Sequence, residues 1–249
     1  MGTMRIDLAY NGVGFAGWAA QPGMRTVQAE LERALERLLG APAPLTVAGR
    51  TDAGVHAWAQ VASCDAPDDP PGTLVRGLNA LTGDDLSVFS AQAAPGFDAR
   101  RDARSRTYCY RIHRSPVPSP FERGLSLFWP HRLDREALEA CAEAIRGRHD
   151  FTAFTPTRTT HVRFEREVFA CEWRTEPPPQ PVPGQMLELW IEADAFMRSM
   201  VRVLMGTMLE VAGARRTLED FVSLLDGAPR ERAGATASPY GLHLAAVRY

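Results

Sequence analysis

Polar and apolar side chains alternate almost from the start of the chain. Arg5-Ile6-Asp7-Leu8-Ala9-Tyr10 puts every second residue on one face, the period of a half-buried strand, and runs into the glycine-rich stretch Asn11-Gly12-Val13-Gly14-Phe15-Ala16-Gly17-Trp18. The period then lengthens: Val27, Leu31, Ala34, Leu35 and Leu38 share one helical face, with Thr26 placed to cap it and Gly40 and the Ala-Pro pairs to stop it. Leu45 to Ala48 and Ala59 to Cys64 read as strands flanking a polar loop. Thr73 caps a short helix to Leu81, Leu86 to Ala91 and Thr107 to Ile112 read as strands, and Asp134 caps a helix that faces a core through Leu138, Cys141, Ala142 and Ile145 until Gly147. Val168 to Arg174 and the alternating Leu187, Leu189, Ile191 and Ala193 flank the proline-rich run from Glu176 to Gly184, which predicts a long hairpin rather than a domain linker. A helix from Ala195 towards Val211 follows, and Thr217-x-x-Asp220 opens a last one. Strands and helices mix without the regular alternation of a doubly wound parallel sheet, so the expected fold class is α+β.

Composition adds limits. A chain of 249 residues with 45% hydrophobic content can bury one large core or two small ones. No apolar run approaches the roughly 18 residues of a membrane helix. The opening Met1-Gly2-Thr3-Met4-Arg5 carries no signal-peptide core, which gives a cytoplasmic expectation. The 4 cysteines form no Cys-x-x-Cys pair and the 6 histidines no His-Glu-x-x-His, so no metal is expected and the thiols should be reduced or buried. A net charge of -2 does not advertise a polyanion binder, and all 28 basic residues are arginine, for which a GC-rich genome is the simplest account. The distribution says more than the sum. Arg100, Arg101, Arg104, Arg106, Arg111 and Arg114 stand against only Asp98 and Asp102, a local balance of +4 that can hold phosphates if the fold gathers it on one face.

Gly12-x-Gly14-x-x-Gly17 matches a dinucleotide fingerprint, but a Rossmann loop opens directly into its helix, whereas Trp18 and Pro22-Gly23 intervene here before Thr26. The glycines are read as shaping a turn. The polar cluster Gly49-Arg50-Thr51-Asp52-Ala53-Gly54-Val55-His56-Ala57 has the make-up of a catalytic loop. An arginine two residues from an aspartate can hold it ionised, lowering its pKa by about one to three units at close approach, or the pair can simply fix a turn. The residue types leave both open.

That loop resembles the catalytic signature of the TruA-type tRNA pseudouridine synthases, and other elements match in order. Tyr10 to Trp18 is similar to the family's opening strand and loop, and Thr26-Val27-Gln28 to its helix start. Phe97-Asp98-Ala99-Arg100 with Arg106-Thr107-Tyr108-Cys109-Tyr110 resembles the second motif, His149 to Phe154 a mid-chain signature, and Phe196-Met197-Arg198-Ser199-Met200-Val201-Arg202 the third. Asn11 departs from the family's usual aspartate, and Ala19-Ala20 from its usual glutamine. The resemblance implies a pseudouridine-synthase fold of two α/β lobes, 1–105 and 106–249, with mixed, mainly antiparallel sheets meeting at an active-site cleft. It implies isomerisation of uridine to pseudouridine at positions 38 to 40 of the tRNA anticodon stem-loop, without cofactor or metal, by a cytoplasmic homodimer. Asp52 would be the catalytic carboxylate, Tyr108, Arg50 and Arg202 would bind substrate, and Arg100, Arg104 and Arg106 would contact the RNA backbone. A non-catalytic tRNA-binding or chaperone protein on the same fold is the alternative.

Overall fold

The computed structural model describes residues 2–66, 72–159, 162–177 and 183–249. The chain forms two compact units, Met1–Arg104 with His243–Tyr249, and Ser105–Leu242. Mixed sheets and helices make it an α+β protein.

In the first unit, β1 (Gly2–Tyr10) lies antiparallel between β3 (His56–Ala66) and β4 (Leu86–Ala93). The short β2 (Thr46–Val47) pairs with β3. Met4, Ile6, Leu8 and Tyr10 are buried as the alternation requires. The register slips between Leu8 and Tyr10 on the β3 side, a bulge that turns the end of β1 towards the glycine-rich loop. The last strand, β10 (Leu242–Arg248), lies parallel to β3 with His243 opposite His56 and Leu244 opposite Ala57, giving the order β4-β1-β3-β10.

Helix α1 (Val27–Leu39) is set by local chemistry at both ends: the Thr26 hydroxyl accepts the Ala29 N–H, and Gly40 closes the helix at a φ of 74°. Its buried face is Val27, Leu31, Ala34 and Leu35. It packs against α2 (Leu74–Leu81), which lies along β4. Thr73 stands at the start of α2 but makes no capping bond, because its own backbone is already helical (φ -91°, ψ 0°) and its hydroxyl lacks the extended geometry a cap needs.

In the second unit, β5 (Ser105–Arg114) pairs antiparallel with β9 (Gln185–Ala193), β9 with β8 (Glu165–Glu176), and β8 with β7 (Gly147–Asp150). A short β6 (Leu127–Trp129) joins β5 in parallel. The β8–β9 pairing is the expected hairpin; residues 178–182 of its proline-rich connection lie outside the described residues. Helix α3 (Arg135–Ile145) is capped by Asp134 and packs on β8, burying Leu138, Cys141, Ala142 and Ile145. Helix α4 (Met200–Ala212) is buried nearly all round, as suits a core helix, and α5 (Leu218–Ser223) is capped by Thr217.

Several expected boundaries move, two of them beside the Asp52 and Arg202 segments. Strand β3 begins at His56 rather than Ala59, because its first residues pair with the end of β1 and with β10. Helix α4 begins at Met200 rather than Ala195. The Asp194 carboxylate takes the N–H groups of Glu167 and Ala195, and Ser199 is left-handed (φ 58°), so a right-handed helix cannot form before Met200.

Candidate active site

The loop that carries Asp52 is short, and the first unit holds its backbone from several sides. On one side lies the glycine-rich loop after β1. Trp18 donates its N–H to the Thr51 carbonyl at 3.0 Å, and Gly54 donates to the Phe15 carbonyl at 3.3 Å. The approach is so close that a Cβ on Gly12 would stand 2.1 Å from the Val55 oxygen, and one on Gly17, which also needs a φ of 100°, 2.9 Å from the Thr51 oxygen. These glycines therefore shape a turn, as the sequence suggests, and they do so to let a second backbone lie against it. Asn11 caps that turn by accepting the Val13 N–H on its side-chain oxygen at 3.1 Å, a bond that asparagine makes as well as aspartate.

From beneath, the buried Tyr10 hydroxyl lies 2.8 Å from the Thr51 hydroxyl, and Gln60 donates to Tyr10 at 3.2 Å and to the Gly49 carbonyl at 2.8 Å. Burial pushes the Tyr10 phenol up to about 12, so it stays a neutral hydrogen-bonding group. Within the loop Val55 donates to the Asp52 carbonyl at 3.1 Å, and Gly54 is left-handed (φ 79°). Thr51 is buried, Asp52 half-buried and Ala53 exposed, so the carboxylate sits on a fixed backbone at the edge of solvent. Arg50 is exposed.

The start of α1 has no capacity for a pyrophosphate. Val27 and Gln28 donate their N–H groups to the Gly17 and Trp18 carbonyls, and Ala29 donates to Thr26. A dinucleotide site needs those same donors unengaged, which removes the reading of the glycine-rich loop as a cofactor cradle. Among the described residues no group of His, Cys, Asp and Glu could hold a metal ion. All of the cysteines are free and buried, and burial pushes the Cys64 thiol up to about 11 and those of Cys141 and Cys171 to about 12, far from the thiolate a nucleophile requires.

In the second unit Tyr108 lies on β5 opposite Ile191 of β9, only 7% exposed, with its ring edge-to-face on Phe196 at 5.0 Å. The non-helical turn before α4 brings Phe196 to that ring. Arg202, in the first turn of α4, is half-buried and donates from Nε to the Ala237 carbonyl at 2.9 Å, while Ala237 returns its N–H to the Arg202 carbonyl at 3.0 Å. It is an oriented cation rather than a solvated one.

The arginine run does not form one stripe. Arg100, Arg101 and Arg104 lie in the first unit and are all exposed, with Asp98 accepting the N–H groups of Arg100 and Arg101 and Asp102 pairing with Arg101. Arg106 is 8% exposed and donates to the Asp194 carbonyl at 2.9 Å, Arg111 is held by glutamates, and Arg114 donates to Gln185 at 3.2 Å. Tyr10, Thr51, Gln60 and His56 support the loop without having stood out in the sequence as its supports. Thr51 and His56 lie within the quoted cluster, whereas Tyr10, at the end of β1, and Gln60, inside β3, give no local sign of the contact.

The family model described as tRNA pseudouridine synthase matches residues 141–249, beyond the Asp52 loop. Full-length relatives cover that loop too. A tRNA pseudouridine synthase A from Frankia casuarinae is 43% identical over 99% of this chain and 89% of its own. Its namesake from Pelobacter propionicus is 38% identical over 100% of both chains, and that from Corynebacterium glutamicum 40% identical over 99% of this chain and 89% of its own. Matches of that extent, spanning the buttressed Asp52 loop and the Tyr108 and Arg202 segments alike, mean that this chain belongs to the tRNA pseudouridine synthase A family.

Proposed function

We propose that the protein isomerises uridine to pseudouridine at positions 38 to 40 of the tRNA anticodon stem-loop, with Asp52 as its essential carboxylate. The observation that carries this reading is the cradle of the Asp52 loop, in which Thr51, Gly49, Gly54 and Val55 are each tied down while the carboxylate stays at the edge of solvent. The reaction balances without a cofactor: the N1–C1′ bond breaks, the base turns, C5 joins C1′, and the C5 proton leaves while N1 gains one. Breaking the glycosidic bond leaves C1′ electron-poor, and a fixed anion beside it stabilises that centre. Asp52 supplies the anion, acting at the sugar or the base.

A base stacked in a stem is out of reach of any carboxylate, so the target is extruded at a cost of a few kcal/mol, which is smallest where stem meets loop. Tyr108 stacks on the extruded base and its hydroxyl serves the loss of the C5 proton, and Arg202 and Arg50 bind the substrate. Service at adjacent positions calls for recognition of tRNA shape and backbone rather than base sequence. Arg100 and Arg104, on one short segment at the surface, take the backbone phosphates, while Arg106 holds the edge of β5 through its bond to Asp194. A homodimer in the cytoplasm belongs to the same reading and rests on likeness to the family; no helix among the described residues is long and apolar enough to cross a membrane.

The test is release of tritium from unmodified tRNA labelled at uridine C5. Release in step with pseudouridine formation is expected; tight tRNA binding without release would leave a non-catalytic tRNA-binding protein. The phosphate-binding arginines have their own readout. Arg100→Gln with Arg104→Gln should weaken tRNA binding and flatten the log–log salt dependence by roughly 0.7–0.9 for each phosphate no longer neutralised, with unfolding unchanged. An unaltered slope would take these arginines out of the interface.

A further inference from the structure

His56 has no part in the chemistry outlined above, yet it ties the Asp52 loop to the glycine-rich loop. It opens β3 directly after the loop and is 2% exposed. Its Nδ1 accepts the Gly12 N–H at 3.1 Å. A ring nitrogen that accepts carries no proton, so this bond requires the neutral imidazole with its hydrogen on Nε2. Gly12 is also where the two backbones touch, at the Val55 carbonyl. The ring cannot turn freely: His243, its neighbour across the parallel β3–β10 pair, stacks on it at 4.5 Å and 15°, and Trp58 lies 4.5 Å from His243 in turn.

We infer that His56 is a positioning residue: by accepting the Gly12 N–H it fixes the backbone from Asp52 to Val55, and so the direction in which the carboxylate is presented. The path is short, because Val55 donates to the Asp52 carbonyl at 3.1 Å and a shift at the start of β3 reaches Asp52 through that one turn. The consequence for rate follows from geometry, since misplacing a reacting group by about 1 Å can cost on the order of 10²-fold. The inference rests on the pseudouridine-forming reading of the site. The simpler account, an aromatic filler in a buried stack, predicts a different response to substitution.

Asparagine carries its oxygen where histidine carries Nδ1 and can accept the same N–H without the ring, whereas leucine fills space without accepting. The experiment compares His56→Leu with His56→Asn in the tritium-release assay, alongside melting temperature and hydrogen exchange at the Gly12 amide. For His56→Leu the expected result is a kcat lower by about 10- to 100-fold, a KM for tRNA and a melting temperature close to the parent's, and faster Gly12 exchange. For His56→Asn kcat should stay within a few-fold of the parent and Gly12 exchange should match it. Equal losses in both variants would assign the role to ring packing, and a parent-like kcat in His56→Leu would remove it altogether. If His56→Leu does not fold, His56→Gln replaces it, because its amide reaches past the Nδ1 position. Exchange at Gly12 reads the tether without turnover, so a parent protein that releases no label would overturn the pseudouridine reading while the tether is still judged by exchange.

Discussion

Asp52→Asn should lose at least about 10⁴-fold in turnover while binding tRNA as the parent does. The substitution keeps the shape of the side chain and removes its charge. The backbone of the loop is held by other groups: the Asp52 carbonyl accepts from Val55, the Thr51 hydroxyl meets Tyr10, and the Gly49 carbonyl accepts from Gln60. The loop therefore keeps its conformation, and the loss falls on the chemistry. An electron-poor C1′ needs a nearby anion, which an amide cannot supply. The measurement is label release under single-turnover conditions, with filter binding of the same tRNA. Retention of more than a few per cent of the parent rate would show that another group carries the reaction.

The companion outcome is equally informative. If tRNA affinity fell together with turnover, Asp52 would be contributing to ground-state binding or to the shape of the loop, and the half-buried position would have to be read as structural.

What could be read from the sequence was local. The caps at Thr26, Asp134 and Thr217 depend on a hydroxyl or carboxylate and an N–H three residues on, and each forms as expected. The β8–β9 hairpin follows from alternation on both sides of a proline-rich run. What escaped was long-range. Nothing near Gly12 announces that its backbone will touch Val55, and β10 finds β3 across most of the chain, with only a few apolar residues to mark it as a strand. The arginine run misleads for the same reason. Neighbours in sequence are not neighbours on one face of a strand, so Arg106 and Arg111 on β5 turn to partners on β9 and beyond, while Arg100 and Arg104, ahead of the strand, stay at the surface. The helix expected from Ala195 fails at Ser199, where a left-handed residue interrupts a sequence whose periodicity gives no warning.

The other large effect is expected at Arg111→Met. Arg111 stands opposite Glu188 in the β5–β9 register and donates from Nε to its carboxylate at 3.2 Å, with Glu122 3.3 Å from Nη1. The side chains are only 15% (Arg111), 11% (Glu188) and 6% (Glu122) exposed. One cation thus serves two buried carboxylates, so its loss strands both. Removing one partner of a buried pair costs about 3–5 kcal/mol, mainly through the charge left behind. Arg111→Met should lose at least that much in urea unfolding. Adding Glu122→Gln and Glu188→Gln should recover part of it, because neutral amides need no cation and the new amide oxygen on β9 can still accept the Trp190 indole N–H that Glu188 holds at 3.0 Å. A loss below about 1 kcal/mol for Arg111→Met alone would mean that water reaches these carboxylates and that the trio behaves as a surface network. A triple variant no more stable than Arg111→Met would place the loss in the packing of the arginine stem against β9 instead of in the stranded charge.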